Sequence, residues 1–156
     1  MIEIRVATAA DATTITYHRR QMFLDAGWPD DEHMVRMSAT FEPWAAKMMA
    51  WGKYIGWLAV DGETGRIVAG AGVLLLDWPA HPFDPDHSQR AYLLNVFVER
   101  DYRRQGLAGR LLEAAMDDAR RRGIRVVALH ASDEGRPVYE RYGFTPTSEM
   151  WFVDKS

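Results

Sequence analysis

The sequence contains no cysteine, which removes disulfides, thiolate metal sites and a cysteine nucleophile together and suits a reducing compartment, the cytoplasm by default. It also lacks any long apolar run. Stretches such as Ala71–Leu76 fall far short of the roughly 20 residues needed to cross a bilayer, so no membrane partner is expected. Met1–Val6 alternates apolar and polar residues with neither a basic start nor an apolar segment behind it, unlike a secretory leader. Positive charge is in deficit as well: 19 Lys and Arg against 22 Asp and Glu give a formal net charge of -3, which argues against a nucleic-acid partner. The histidines His18, His33, His81, His87 and His130 show no paired ligand spacing, so no metal is expected.

The 156 residues suffice for one domain, expected over 1–156, that buries about two-thirds of its unfolded surface. No internal repeat, low-complexity tract or linker divides them. A strand is expected over Glu3–Ala7, followed by the capping-box-like Thr8-Ala9-Ala10-Asp11 and a helix that ends at Gly27-Trp28-Pro29. Glu32–Trp51 reads as one or two helices interrupted near Pro43. Tyr54–Val60 and Ile67–Leu76 read as a hairpin joined by Asp61–Gly65. The proline-rich Asp77–Asp86 is a loop and the natural variable rim of a site.

The second half reads as strand Arg90–Val98, helix Leu107–Arg121 and strand Ile124–Leu129, a β-α-β unit whose strands should be parallel neighbours. A polar turn, a short helix to Tyr142, a stop at Gly143 and a last strand at Glu149–Val153 complete an α/β chain with one mixed sheet and helices on its faces.

The chemistry concentrates in Arg100–Arg110, where four arginines face one acid, Asp101. This segment joins an apolar strand to a helix. A helix start leaves several backbone N–H groups unpaired and carries about half a positive charge, so it attracts an anion. Gly106, Ala108 and Gly109 allow close approach, and no Ser, Thr, Asn or Asp stands between Arg103 and Arg110 to satisfy those amides. A phosphate-rich ligand is the expected guest. A Walker-type loop is excluded because Gly-Lys-Ser/Thr is missing.

Arg103-x-x-Gly106-x-Ala108 resembles the Arg/Gln-x-x-Gly-x-Gly/Ala signature of the GNAT superfamily of N-acetyltransferases. Pro137–Phe144 resembles the family's second signature, a short helix that carries a Tyr and ends in Gly-Phe. The resemblance spans roughly the whole chain, most convincingly Leu93–Phe144, and implies a largely antiparallel sheet whose fourth and fifth strands are parallel and splay apart. It implies acetyl-CoA as co-substrate, with the pyrophosphate on the amides of Gln105, Gly106, Leu107, Ala108 and Gly109 and with Arg103 and Arg104 alongside. It also implies pantetheine on the main chain of Phe97 and Val98, and a thioester near Asn95 and Tyr139, with Tyr139 as the acid for the leaving thiolate. Ser132 stands where many members carry an asparagine that touches pantetheine; a local turn or cap is the alternative role for its hydroxyl.

The general base stays open among Asp77, His130, Asp133, Glu134 and a water chain, since the strand carries Asn95 rather than a carboxylate. The acceptor is expected to be an amine of a small molecule or peptide. Trp28, Phe41, Trp44, Trp51, Trp78 and Phe83 are available to line its pocket, and Asp30, Asp31, Glu32, Asp84 and Asp86 to attract a cation. A non-catalytic acyl-CoA sensor, or a transferase for a longer acyl group, are the alternatives. A homodimer through edge strands and Met150–Val153 is a further expectation.

Overall fold

The computed structural model describes all 156 residues. The element order is β1 (Ile2–Val6), a 3-10 turn (Ala9–Asp11), α1 (Ala12–Asp25), α2 (Glu32–Ala50), β2 (Tyr54–Asp61), β3 (Ile67–Asp77), β4 (Gln89–Val98), α3 (Leu107–Arg121), β5 (Val127–Leu129) and α4 (Arg136–Tyr142). The sheet runs β1-β2-β3-β4-β5. Pairing is antiparallel from β1 to β4 and parallel between β4 and β5, so the mixed α/β architecture with a parallel fourth and fifth strand is the one the sequence implied.

Two apolar layers hold the helices to the sheet. On one face α3 buries Leu107, Leu111, Leu112, Ala115 and Ala119 against Trp57, Ala71, Val73 and Leu93, a stripe at three- and four-residue spacing. On the other, Ile15 of α1 and Phe41 and Ala45 of α2 pack with Tyr54 and Leu58. Arg5 grips the Asp11 carboxylate at 2.8 and 2.9 Å, and Asp11 accepts the Thr8 N–H at 2.8 Å, which fixes the entry to α1.

Three expected boundaries differ. Pro43 lies inside one continuous α2 rather than between two helices. The buried Phe41 and Ala45 flank it, so packing on both sides outweighs the single backbone bond that proline removes. β5 holds only Val127–Leu129: Ile124 is buried and its N–H goes to Ala119 at 2.9 Å, closing α3 instead of starting the strand. Finally, Glu149–Val153 forms no strand. Met150 and Phe152 are each 92% exposed, and alternation without a partner edge or a core to cover it does not make a strand. The expected dimer edge at that segment is therefore absent.

His18 of α1 is fully buried beside Phe97, with ring centroids 5.1 Å apart, and its Nε2 has no partner. Burial pushes its pKa down to about 4 from 6.5. The unfolded chain therefore binds more protons between those values, so stability is full above pH 6.5 and is lost as pH falls toward 4. The loss is on the order of 3 kcal/mol over the full window. Melting curves between pH 7 and pH 4.5 should show it, and His18→Leu should flatten the slope.

Candidate active site

β4 changes phase in its middle. Its register against β3 shifts between Gly70 and Gly72, so that Gly72 faces Leu94 and Gly70 faces Phe97, and Asn95 takes a positive φ of 57°. This is a β-bulge, with two residues opposite one. Leu94 packs into the α1–α2 layer, and Asn95 turns to the same side, where it is 3% exposed. Its Nδ2 donates to the Tyr54 hydroxyl at 2.8 Å, and its Oδ1 accepts from Arg19 Nη1 at 2.8 Å. Asn95 is thus a buried bridge between α1 and β2 at the point where β4 leaves β5.

That point is well defined, because β4–β5 pairing ends at Leu93–Leu129. Beyond it the β5 side of β4 is open. Glu99 N–H bonds Val68 on β3 at 2.8 Å, and strand main-chain groups alternate sides, so Phe97 faces β3 with its N–H and C=O while Val98 presents its own to the open edge. The Val98 carbonyl accepts from Arg103 Nε at 2.9 Å. Of the two residues expected to pair with pantetheine, only Val98 turns its main chain toward that edge. The Phe97 side chain instead packs on Tyr17 and His18.

Gly72 makes room for the Asn95 partner. A Cβ built there lands on the Tyr54 hydroxyl and ring. Gly72→Ala should cost about 1–3 kcal/mol through overpacking, read as a lowered urea midpoint.

The turn after β4 leads into α3 with Arg104 and Gly106 both at positive φ, 61° and 77°. Gly106 is the N-cap and carries no side chain to accept a bond. From Arg104 to Gly109 no backbone N–H has a protein partner; the first to be satisfied is Arg110, on Gly106 O at 3.1 Å. A run of amides at a helix start, with a positive helix pole behind it, forms a concave anion site. Gln105 is exposed and reaches the Asp101 carbonyl at 3.3 Å; Leu107 is buried and anchors the helix, whereas Ala108 and Gly109 are half-buried beside the amides.

The arginines divide. Arg103 is folded back, with Nη2 on Asp25 at 2.7 Å and its guanidinium over Phe97, so it clamps α1 to the turn. Tyr17 adds a bond to Glu99 at 2.9 Å. Arg104 stays exposed at the mouth of the turn.

Tyr139 of α4 is half-buried, with its ring 5.9 Å from Phe144. Burial holds its phenol above the ordinary 10.0, so it stays protonated at neutral pH. Ser132 Oγ accepts the Gly135 N–H at 3.1 Å, and Ser132 O accepts from Arg136 at 2.9 Å. Its hydroxyl caps the turn before α4, as the alternative role had it. His130 Nδ1 hydrogen-bonds the Tyr92 hydroxyl and its ring rests on Trp151 at 4.5 Å. Asp77, Asp133 and Glu134 are exposed.

An open groove of about 670 Å³ lies between α1, α2 and β4. Phe41 and Trp44, two of the six aromatics expected around an acceptor, line it together with Met37 and Leu94. Trp28 instead meets Phe23 edge to face, and Trp78 lies under Arg90. None of the five acids expected at the rim lines the groove: Asp30 is paired to Arg20 at 2.7 Å, Asp31 caps α2, Asp84 is buried against His87, and Glu32 and Asp86 are exposed. Sequence reading missed Arg19 and Tyr54. The available signal was a charged residue at position 19 on the apolar stripe of α1, four residues after Ile15.

No three His, Asp or Glu side chains cluster as metal ligands, and no helix is long and apolar enough to cross a membrane. A family model described as the acetyltransferase (GNAT) family matches residues 15–144. A GCN5-related N-acetyltransferase from Ralstonia eutropha JMP134 superposes with a TM-score of 0.93 at 33% identity, over 100% of both chains. A predicted acetyltransferase from Clostridium acetobutylicum, solved with acetyl-CoA, gives 0.88 at 25% identity, over 99% of this chain and 96% of that one. A mycothiol acetyltransferase of Pseudarthrobacter chlorophenolicus is 30% identical over 91 residues, which is 58% of this chain but only 25% of that protein.

Proposed function

Because the chain belongs to the acetyltransferase (GNAT) family, we propose that it transfers the acetyl group of acetyl-CoA directly to a primary amine of a small molecule or peptide. One observation carries the reading. The run of unpartnered amides from Arg104 to Gly109 adjoins the open main-chain edge of Val98 at the splay of β4 and β5. The first suits a pyrophosphate, and the second suits an amide-bearing arm laid beside the strand as an added partner.

Acetyl-CoA supplies an activated acyl thioester. The amides of Gln105 to Gly109 hold its phosphates, Arg104 adds charge at the mouth, and Val98 orients the arm. Arg103 acts one step back, by fixing Val98 O and tying the turn to Asp25. Asn95 is a positioning residue: its bulge opens the strand, and its two side-chain bonds hold Tyr54 and Arg19 where the acceptor must lie. The unprotonated amine adds through its lone pair to the acyl carbonyl, and the C–S bond breaks as Tyr139 gives its proton to the departing thiolate. The proton that the new amide nitrogen sheds passes to water and returns Tyr139 to the phenol. Ser132 contributes by fixing the turn that presents α4.

Isothermal titration with acetyl-CoA, followed by thiol release in the presence of primary amines, tests the reading. Micromolar binding with amine-dependent thiol release supports it. Binding with no turnover on any amine or longer acyl-CoA would make the protein a sensor, and no binding by the folded chain would defeat both.

A further inference from the structure

We propose that the amine acetylated by this protein also carries a carboxylate, which Arg19 holds at the foot of the groove between α1, α2 and β4. The proposal rests on the acetyl-transfer reading above. Its starting point is the charge of the groove. Arg19, His33 and Arg36 line it and no acid does, although the chain as a whole has an excess of acids. A groove built for a simple cationic amine would show the opposite balance.

Arg19, like Arg90, is an arginine that pairs with no acid and whose Nε is buried. Arg5, Arg20, Arg103 and Arg122 each meet an aspartate within 2.8 Å, whereas Arg19 meets none. Its guanidinium lies between Phe23 and Phe41, 5.0 Å from each ring, and Nη1 is spent on Asn95. Nε is buried without a partner. Burial lowers its pKa, and only the Tyr54 and Tyr92 hydroxyls oppose that. A half-buried cation with no counter-ion is costly unless something else supplies the negative charge. Two aromatic rings flank a guanidinium whose remaining Nη donors suit a carboxylate.

The position of Arg19 selects the rest of the acceptor. Asn95 ties it directly to the splay of β4, so a carboxylate on Arg19 leaves an amine of the same molecule close to the open edge. Met37, Phe41, Trp44 and Leu94 then offer apolar walls to a side group. The class is an amino acid, or an amine of like shape, with an apolar or aromatic side chain. Arg36 and His33 stand farther out, with only long contacts of 3.9 Å to Glu32 and 3.8 Å to Asp31, and they add attraction at the rim.

The test compares acetyl-CoA-dependent thiol release with L-phenylalanine and L-methionine against L-phenylalaninamide, phenethylamine and phosphoethanolamine. At least one acid should exceed its carboxylate-free counterparts in kcat/KM by about tenfold or more. Arg19→Lys should raise the acceptor KM at least about tenfold while the KM for acetyl-CoA stays put. Arg36→Gln, at a side chain that is 64% exposed, should raise the acceptor KM by a smaller factor and serves if the first variant does not fold. Three results overturn the proposal: acetylation of neither amino acid, equal or faster use of the carboxylate-free amines or of phosphoethanolamine, or an unchanged acceptor KM in the folded variants. Acetyl-CoA binding measured in parallel separates the failures, since intact binding beside any of these defeats only the carboxylate, and absent binding defeats the transfer reading itself.

Discussion

Gly106→Glu binds acetyl-CoA at least about 100-fold more weakly than the parent chain while keeping its fold. Gly106 caps α3 with φ of 77°, and a Cβ there meets nothing within 4 Å. The substitution is therefore sterically open and costs about 1 kcal/mol of left-handed backbone strain. The new carboxylate sits in the middle of the amide run. Against one phosphate charge about 5 Å away, at an effective dielectric near 20, the repulsion is about 3 kcal/mol, which corresponds to roughly two decades of affinity. Gly106→Ala carries the same strain without the charge and separates the two causes. Calorimetry on all three proteins, with melting curves as the folding control, reads the outcome; an unchanged affinity in Gly106→Glu would remove the phosphates from this turn.

Tyr139→Phe lowers kcat about 100-fold and leaves the KM for acetyl-CoA within about threefold, the pattern of a group needed for the bond-breaking step and not for binding. The ring survives in phenylalanine, so its packing on Phe144 and its place beside Gly135 are kept. Because burial raises the Tyr139 pKa above 10.0, the parent enzyme should show no alkaline fall attributable to this group below pH 10. A purely structural Tyr139 would leave kcat intact, and stopped-assay rates at saturating acetyl-CoA distinguish the two.

The open turn before α3 was legible because its determinants are local. Gly106, Ala108, Gly109 and the apolar stripe beginning at Leu107 lie within a few residues of one another, and helix-start chemistry depends on little else. The sheet order was legible for a related reason, since a strand, helix and strand in succession admit few arrangements. What failed needed distant partners. Pro43 stays helical because of what Phe41 and Ala45 pack against. Glu149–Val153 has strand-like composition, but no neighbouring strand pairs with it. Arg103 reads in the sequence as a neighbour of the phosphates, and the ion pair it makes with Asp25, 78 positions earlier, has no signal there. The acids at 30, 31 and 84 drew attention as charges, yet each has a structural partner that sequence spacing does not reveal.

The bulge at Asn95 also alters the parity of β4. Before it, odd positions 91 and 93 look toward α3 and even position 94 toward α1–α2; after it, even positions 96 and 98 join the α3 side and odd position 97 the other. One extra residue thus inverts the strand's odd-even code halfway along. Removing Asn95 would restore a uniform alternation with both halves on their present faces, at the loss of the bulge and its bridge to Tyr54 and Arg19. Removing a residue from either regular half would instead turn part of the strand inside out, and removing one from the 79–86 loop would disturb no such phase. Tolerance to length change in this chain is therefore set by counting, and the one place in β4 where a residue can be lost without inverting a face is the bulge itself.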